Sequence, residues 1–192
     1  MEKKRCWGTG NPDMERYHDR EWGIPLKNGQ KLLEFLILDG AQAGLSWDTI
    51  LKRREGYRQA FDGFDPEKIA RYQQKDINRL LKDTRIIRNK LKINSAIQNS
   101  KAYLAMEEDG ESLSKWLWNR VDGKPIINHW KTLAEIPAST ELSENISREL
   151  KKKGFTFVGP TIIYAFLQAA GFVNDHLVDC WRWEDVQKGK GK

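Results

Sequence analysis

The positions of apolar residues along the chain are typical of α-helices. Residues 31–38 are apolar on nearly every side of a helix, so they predict a buried one. Leu142, Ile146 and Leu150 are spaced by four, which places them on one helical face. The same kind of pattern predicts further helices at residues 66–72, 77–81, 93–110, 113–117, 142–154 and 160–170.

Residues with special backbone preferences mark several helix ends. Residues 65–67, Asp-Pro-Glu, combine an N-cap side chain, a proline at the first helical position and an acid in the first turn. Gly154 suits a helix C-terminus. Strand signals are few and limited to short runs such as residues 156–158. The pattern therefore predicts an all-α protein with one compact domain over residues 1–186 and a frayed basic tail at residues 187–192.

Composition and charge narrow the class of protein. Hydrophobic residues make up 39% of the chain and charged residues 31%, which is ordinary for a folded globular protein. No stretch approaches the roughly 18 apolar residues that a membrane span needs, and residues 1–5 lack the apolar region of a secretory signal. We therefore expect a cytoplasmic protein without a membrane partner. The net charge of +6 favours a polyanionic partner, and the eight tryptophans offer platforms on which bases can stack.

Two cysteines and three histidines raise the question of a metal site. Cys6 and His18 lie near the start of the chain, and His176 and Cys180 near its end. On a helix the latter two would share one face, and all four would form the tetrahedral Cys₂His₂ set that structural zinc favours. The spacing alone leaves open two unrelated thiols and two ordinary histidines, while a disulfide is disfavoured in a cytosolic chain. His129 is interpreted as a loop residue.

Asp39 directly follows the predicted buried helix. A carboxylate there faces the negative end of the helix dipole, and enclosure beside Trp47 would leave it in need of partners. The unfavourable position of Asp39 favours a functional role for its carboxylate. The alternative is that the carboxylate caps a nearby backbone amide. Tyr17 and Trp22 flank His18, so a carboxylate with aromatic walls is a plausible assembly, suited to a flat cationic base. Core packing is the alternative for each tryptophan taken singly.

A glycine-containing segment joins two of the predicted helices. Residues 151–160 read Lys-Lys-Lys-Gly-Phe-Thr-Phe-Val-Gly-Pro. Gly154 and Gly159 permit a tight turn, and backbone N–H groups at the start of the second helix can hold a phosphate. With three lysines ending at Lys153 just before it, the segment predicts a DNA anchor. A plain interhelix loop is the alternative.

Four segments, in this order, resemble the DNA-3-methyladenine glycosylase I (Tag) family of the helix-hairpin-helix DNA glycosylase superfamily. They are Tyr-His-Asp-Arg-Glu-Trp-Gly at 17–23, Gln-Ala-Gly-Leu-Ser-Trp at 42–47, the hairpin at 154–160 and Asn-Asp-His at 174–176. The resemblance covers nearly the whole chain. It implies a monomeric base excision repair enzyme that hydrolyses the glycosidic bond of 3-methyladenine in alkylated double-stranded DNA and leaves an abasic site.

The resemblance also implies roles for individual residues. The ligands of one structural Zn²⁺ would be Cys6, His18, His176 and Cys180. The aromatic residues around the extracted base would be Tyr17, Trp22, Trp47 and Trp7. The base-recognising acid would be Asp39. The residues that enter the duplex would be Gly44 and Leu45. The residues that bind its phosphate backbone would be Gly154, Gly159 and Lys153.

This chain departs from the family pattern in three places. Asp39 stands where the family usually has glutamate, so the base must sit deeper or a water must bridge. Met14 stands where the family has tyrosine, which removes one aromatic wall. The gap between Cys6 and His18 is one residue shorter, a change that a loop can absorb.

The implied chemistry needs little catalytic machinery. Methylation at N3 makes the base cationic and a good leaving group, so the enzyme chiefly flips the nucleotide out and holds it while water attacks the sugar. After Gly159 the next acid is Asp175, beside the metal-ligand candidate His176, so we expect no assisting aspartate and no strand cleavage. One competing class is a non-enzymatic protein, cross-linked by zinc, that binds alkylated DNA without releasing a base. The other is a zinc hydrolase in which one coordination position of the metal is left for water. The sequence leaves acceptance of 3-methylguanine open.

Overall fold

The computed structural model describes residues 4–188 and is built mainly of α-helices. Within those residues the helices are α1 (Pro12–Arg20), α2 (Gly29–Gln42), α3 (Trp47–Leu51), α4 (Arg54–Ala60), α5 (Pro66–Ala70), α6 (Gln74–Lys82), α7 (Lys90–Glu108), α8 (Leu113–Trp118), α9 (Glu141–Lys152), α10 (Pro160–Ala169) and α11 (Arg182–Gln187). Two short strands, β1 (Ile126–Ile127) and β2 (Val173–Asn174), pair in parallel.

The helices predicted from the apolar pattern are confirmed, with shifted ends. Asp65 caps α5 as expected, because its side chain accepts hydrogen bonds from the backbone N–H groups of Glu67 and Lys68. The buried helix α2 continues to Gln42 instead of ending at residue 38, so Asp39 lies inside its last turn.

Two local predictions are wrong. Residues 156–158 form a loop and not a strand, since Phe157 adopts a left-handed φ of +53° that interrupts an extended backbone. His176 and Cys180 do not share a helix face, because both lie in the loop between β2 and α11. The last helix includes Gln187, the predicted first residue of the frayed tail, and residues 189–192 of that tail lie outside the described residues.

Helix α2 is the central element of the fold. Its side chains are buried on opposite faces, and each face belongs to a different cluster of the core. Leu32 and Leu36 pack with residues of α8, α9 and α10, whereas Leu33 and Ile37 pack with residues of α4 to α7. A helix that is apolar on all sides is stable only when it is enclosed in this way. The last turn of α2, which carries Asp39, is therefore held from both sides.

The two ends of the described chain meet. The backbone N–H of Trp181 donates a hydrogen bond to the carbonyl oxygen of Lys4, over 3.1 Å. None of the helices in residues 4–188 combines the length and the apolar character that a bilayer crossing requires.

Candidate active site and metal centre

A pocket opens where α1, α2, α3 and α10 converge. It encloses about 510 Å³ of space, part of which is open to solvent. The residues that line it are Trp7, Met14, Tyr17, Trp22, Asp39, Gln42, Trp47, Ala165, Gln168 and Ala169. The structure therefore brings together the predicted acid and all four predicted aromatic residues.

The aromatic walls of the pocket support one another. The ring of Trp7 lies 5.1 Å from that of Trp22 at an angle of 83°, which is an edge-to-face contact. Tyr17 and Trp47 lie 5.3 Å apart at 44°. Tyr17 is only 2% exposed, so its ring has a fixed position. These faces are electron-rich and attract a flat cationic ligand.

Asp39 is buried and has an unused acceptor. Its side chain is 3% exposed, and its Oδ2 has no hydrogen-bond partner among the described residues. Burial raises the pKa of Asp39 well above its usual value. Burial, followed by the negative charge of Asp39, likewise raises the pKa of Tyr17, which is consistent with the two groups being neighbours.

Trp47 supplies an unused donor in the same pocket. Within residues 4–188 its buried indole Nε1 has no hydrogen-bond acceptor. A buried polar group without a partner costs about 1–3 kcal/mol, so two in one pocket call for an explanation. A ligand that offers a donor to Asp39 and an acceptor to Trp47 would satisfy both.

The loop after α2 forms part of the rim of this region. Gly44 adopts a φ of +76°, which favours glycine, and Leu45 is 39% exposed. Lys92 of α7 anchors the loop, because its Nζ donates hydrogen bonds of 2.7 Å to the carbonyl oxygens of Ala41 and Ala43. No sequence pattern marks Lys92, which is 49 residues from Ala43 along the chain.

The hairpin between α9 and α10 is fixed from within the protein. The carbonyl oxygen of Val158 accepts a hydrogen bond from Ser147 Oγ at 2.6 Å, and the backbone N–H of Thr156 donates to Asn99 Oδ1 at 2.8 Å. Gly154 has a φ of +89°, whereas Gly159 has an ordinary φ of −62° as the N-cap of α10. The first glycine thus makes the turn that ends α9.

The three lysines before the hairpin differ in their surroundings. Lys153, the lysine predicted to contact DNA, pairs with Glu111 at 2.5 Å. Lys151 and Lys152 are exposed and, together with Arg148, line a shallow depression beside Pro160. The exposed pair is therefore better placed than Lys153 to meet a phosphate.

The four predicted metal ligands converge, although they come from opposite ends of the chain. The ligand atoms of Cys6, His18, His176 and Cys180 all lie within 4.8 Å of one another. Cys6 Sγ lies 3.2 Å from His18 Nε2 and 3.7 Å from His176 Nδ1. Cys180 Sγ lies 3.5 and 3.6 Å from the same two nitrogens. Tetrahedral zinc with ordinary bond lengths would give sulfur–nitrogen separations of about 3.6 Å. These residues can hold a metal ion.

The protonation states of Cys180 and His176 suit a metal, whereas the hydrogen bond with Cys180, followed by burial, raises the pKa of Cys6, so Cys6 would release its proton on binding. The pKa of Cys180 is lowered, first by a hydrogen bond from Cys6 and further by His176 and His18. Burial lowers the pKa of His176, which favours the neutral imidazole. Thiolate and neutral imidazole are the forms that bind metals.

Each imidazole is oriented by an oxygen on its far side. His18 Nδ1 lies 2.9 Å from Asp19 Oδ1, and His176 Nε2 lies 3.2 Å from the carbonyl oxygen of Trp22. Arg5 holds Asp19 with two hydrogen bonds of 2.9 and 2.8 Å. Burial would raise the pKa of Asp19, but hydrogen bonds from Arg5 and His18 outweigh it and lower that pKa to about 2. Such partners fix the ring orientation and the tautomer of metal-binding histidines.

The segment at residues 17–23 serves the pocket and the metal cluster together. Tyr17 and Trp22 line the pocket, while His18 points to the cluster. Gly23 closes the segment with a φ of +79°, and a Cβ there would come within 3.1 Å of His176 Nε2. The local sequence therefore couples the position of the aromatic walls to that of the ligands.

Asp175 is buried and fully engaged. It accepts hydrogen bonds from Asn128, Trp130, Tyr164 and Gln168, at distances between 2.6 and 2.8 Å. As expected from the sequence, this acid is not free to assist a reaction. His129, interpreted as a loop residue, does lie outside the helices, and its ring contacts Trp183 at 5.2 Å.

Comparisons with known proteins point to one family. A family model described as methyladenine glycosylase matches residues 7–183. DNA-3-methyladenine glycosylase 1 of Escherichia coli K12 is 49% identical over 178 residues, which are 92% of this chain and 95% of the relative. A crystal structure of 3-methyladenine DNA glycosylase I superposes with a TM-score of 0.91 at 49% identity, covering 93% of this chain and 98% of the other.

A second solved structure shows a relative with a base bound. It is a variant of 3-methyladenine DNA glycosylase I in complex with 3-methyladenine, with a TM-score of 0.89 and 37% identity over 92% of this chain and 95% of the other. The family model covers most of the chain, and the relatives match along nearly their full length. The chain therefore belongs to the methyladenine glycosylase family.

Proposed function

We propose that this protein is a DNA repair glycosylase that hydrolyses the glycosidic bond of 3-methyladenine in alkylated double-stranded DNA. Membership of the family and the 3-methyladenine complex of a relative support this function. The observation that carries it here is the unpartnered carboxylate oxygen of Asp39, buried within residues 4–188 in an aromatic pocket.

The polar groups of the pocket match the edge of an adenine. Adenine offers its amino group as a donor beside N7 as an acceptor. Asp39 Oδ2 would accept from the amino group, and Trp47 Nε1 would donate to a ring nitrogen. A cationic base would lower the raised pKa of Asp39, and the ionised carboxylate with the faces of Tyr17 and Trp22 would then favour that base over neutral adenine. Binding therefore selects the base whose glycosidic bond is already weak.

The reaction follows from extrusion of the nucleotide into this pocket. Gly44 and Leu45 lie on the loop that would fill the space left in the duplex, and Leu45 is exposed enough to do so. Water then attacks the sugar through a transition state with oxocarbenium character. Asp175 is fully hydrogen-bonded and does not assist this attack. Because no lysine is among the described residues that line the pocket, no amine is placed to form a Schiff base with the sugar, and we propose a monofunctional enzyme that leaves an abasic site and does not cut the strand.

We propose that α9, the hairpin and α10 form a helix-hairpin-helix element that holds the DNA backbone. Gly154 shapes the turn, and the backbone N–H groups of Gly159, Thr161 and Ile162 at the start of α10 have no intrahelical acceptor, Pro160 having no N–H. Lys151 and Lys152 add positive charge beside it. Lys153 contributes mainly through its pair with Glu111, which ties the hairpin to the loop after α7.

We propose that the metal held by Cys6, His18, His176 and Cys180 is zinc in a structural role. Two thiolates and two imidazoles at tetrahedral separations match the preference of zinc, and four protein ligands leave no position for a reacting water. The ion would cross-link the chain ends within one domain. Since His18 adjoins Tyr17, this would stiffen the pocket wall.

The alternative is a protein that binds alkylated DNA without releasing the base. The two functions are separated by incubating the protein with an alkylated, end-labelled duplex and measuring alkali-labile abasic sites. An enzyme converts the lesion, and borohydride traps no protein–DNA adduct. Protection of the duplex without any abasic site would favour the sensor.

A further inference from the structure

Gln168 belongs both to the pocket and to the network around Asp175. It lies on α10 with Ala165 and Ala169, and these three residues line the pocket. Their spacing of three and four places them on one face of the helix. On its other side, Gln168 Nε2 donates a hydrogen bond of 2.8 Å to Asp175 Oδ2.

The acceptor role of Asp175 is fixed by its other partners. Trp130 Nε1, which can only donate, lies 2.8 Å from Oδ1. The hydroxyl of Tyr164 donates to Oδ2 at 2.6 Å. Asp175 is 1% exposed, and a buried carboxylate is stabilised by such a set of donors. Both of its oxygens are therefore acceptors.

This arrangement determines which end of the Gln168 amide is left for the pocket. A glutamine amide has a donor end and an acceptor end, and a turn of 180° exchanges them. Turned around, the carbonyl oxygen of Gln168 would face the carboxylate oxygen of Asp175, which is unfavourable. The amino end is thus committed to Asp175, and the carbonyl oxygen Oε1 remains available as an acceptor.

We propose that Gln168 Oε1 is a second acceptor for the base, so that the pocket distinguishes 6-amino purines from 6-oxo purines. This inference rests on the proposed function. An amino group has two hydrogens and can donate to both Asp39 and Gln168. The carbonyl oxygen at the same position of a guanine would face two acceptors without a donor between them. Asp175 acts as a positioning residue, because it sets the direction of the Gln168 amide.

The test compares the release of 3-methyladenine and 3-methylguanine from the same methylated duplex. Replacing Gln168→Leu removes the acceptor at similar size, and should lower the ratio of 3-methyladenine to 3-methylguanine release about tenfold. Gln74→Leu, an exposed glutamine on α6, is the matched control and should leave the ratio unchanged.

A second variant tests the positioning role directly. Asp175→Asn can present a donor to Gln168, which lets the amide turn and offer its amino group to the pocket. The ratio should then shift further towards 3-methylguanine than in Gln168→Leu, and the double variant Asp175→Asn with Gln168→Leu should show the ratio of Gln168→Leu alone. Melting temperatures and metal content of each variant, measured in parallel, show that the fold and the metal cluster remain intact.

The outcomes separate this inference from the proposed function. Absence of 3-methyladenine release by the wild-type protein would overturn the proposed function itself. Normal release by the wild type, with an unchanged base ratio in Gln168→Leu, would overturn the role of Gln168 alone. Equal losses for both bases would show a structural role and would also overturn it. Should Gln168→Leu fail to fold, the ratio measured with Asp175→Asn decides, and an unchanged ratio there overturns the inference.

Discussion

Lys92 holds the carbonyl oxygen of Ala43 at 2.7 Å, and so joins α7 to the loop that carries Gly44 and Leu45. The same ammonium group bonds to Ala41, so it occupies the negative end of α2. Lys92 is half-buried, so this contact is partly shielded from water, and burial lowers the pKa of Lys92. The position of the loop is therefore set by a residue that itself lies outside the pocket.

Removing this contact should affect duplex DNA more than the free base. We expect Lys92→Met to reduce base release from duplex DNA about tenfold, because the loop loses its anchor, while binding of free 3-methyladenine changes little. Lys90→Met removes the same charge from an exposed position of the same helix and is the control. Equal losses in both variants would indicate general electrostatic attraction instead of anchoring.

The unpaired carboxylate of Asp39 should reduce the stability of the free protein at neutral pH. Its pKa is raised, so the folded state holds this proton more tightly than the unfolded state does. The contribution of this proton to the free energy of unfolding is fully present below the ordinary carboxyl pKa. It is lost as the pH rises through the raised pKa of Asp39. We therefore expect Asp39→Asn to raise the melting temperature by about 2–4 °C at pH 8, with a smaller difference at pH 5.

Glu34 provides the contrast for this measurement. It is equally buried at 2% exposure, but it pairs with Lys31 and Arg58 at 2.7 and 2.8 Å. Removing its charge leaves the partners uncompensated, so Glu34→Gln should lower the melting temperature. A decrease for Asp39→Asn as well at pH 8 would contradict the account of an unsatisfied acid held ready for a ligand.

The metal cluster should contribute to stability and depend on Asp19. We expect purified protein to contain about one zinc per chain, and a strong chelator to lower the melting temperature, since the ion joins the chain ends. Asp19→Asn should weaken zinc affinity about 10–100-fold by loosening His18. Asp13→Asn, on the same helix but outside the cluster, should not. Metal analysis that finds no bound zinc would refute the structural assignment.

The lysines before the hairpin should differ in their effect on DNA binding. Lys151→Gln and Lys152→Gln should each weaken binding to undamaged duplex and reduce the slope of log K against log salt by about 1, because each is proposed to contact one phosphate. Lys153→Gln should change the slope less, since its ammonium is paired with Glu111. A larger effect at Lys153 would reverse this ranking.

The long apolar helices could be predicted from the sequence because each has enough residues to show a period. Helix α7 spans 19 residues and α2 spans 14. The helices α3 and α11 have five and six residues and were not predicted, although α5 and α8 of the same lengths were, α5 through its Asp-Pro-Glu start. A segment of this length spans less than two helical turns, so its apolar spacing is a weak signal by itself. The apolar run ends at Leu38, which predicts too early an end for α2, whereas the helix continues to Gln42 and Gly44 follows it with a φ of +76°.

The candidate site could be predicted in its aromatic residues and ligands, but not in the residues that position them. Asp39 and Trp47 stand out through their local context. Gln168 and Lys92 do not, because an ordinary glutamine or lysine on a helix gives no signal until its distant partner is known. The partner of Lys92 is about 50 residues away, and that of Gln168 lies beyond the end of its own helix.

The most direct test of the account is to identify the bases that the purified protein releases from methylated duplex DNA, by chromatography. Wild type and Asp39→Asn are compared, with Asp122→Asn as a control at an exposed position whose left-handed backbone asparagine tolerates. The account predicts release of 3-methyladenine by wild type and by Asp122→Asn, and a loss of at least about a hundredfold in Asp39→Asn, as for other electrostatic groups at reacting centres. Full release by Asp39→Asn would contradict the assigned acid, and no release by the wild type would contradict the enzymatic function.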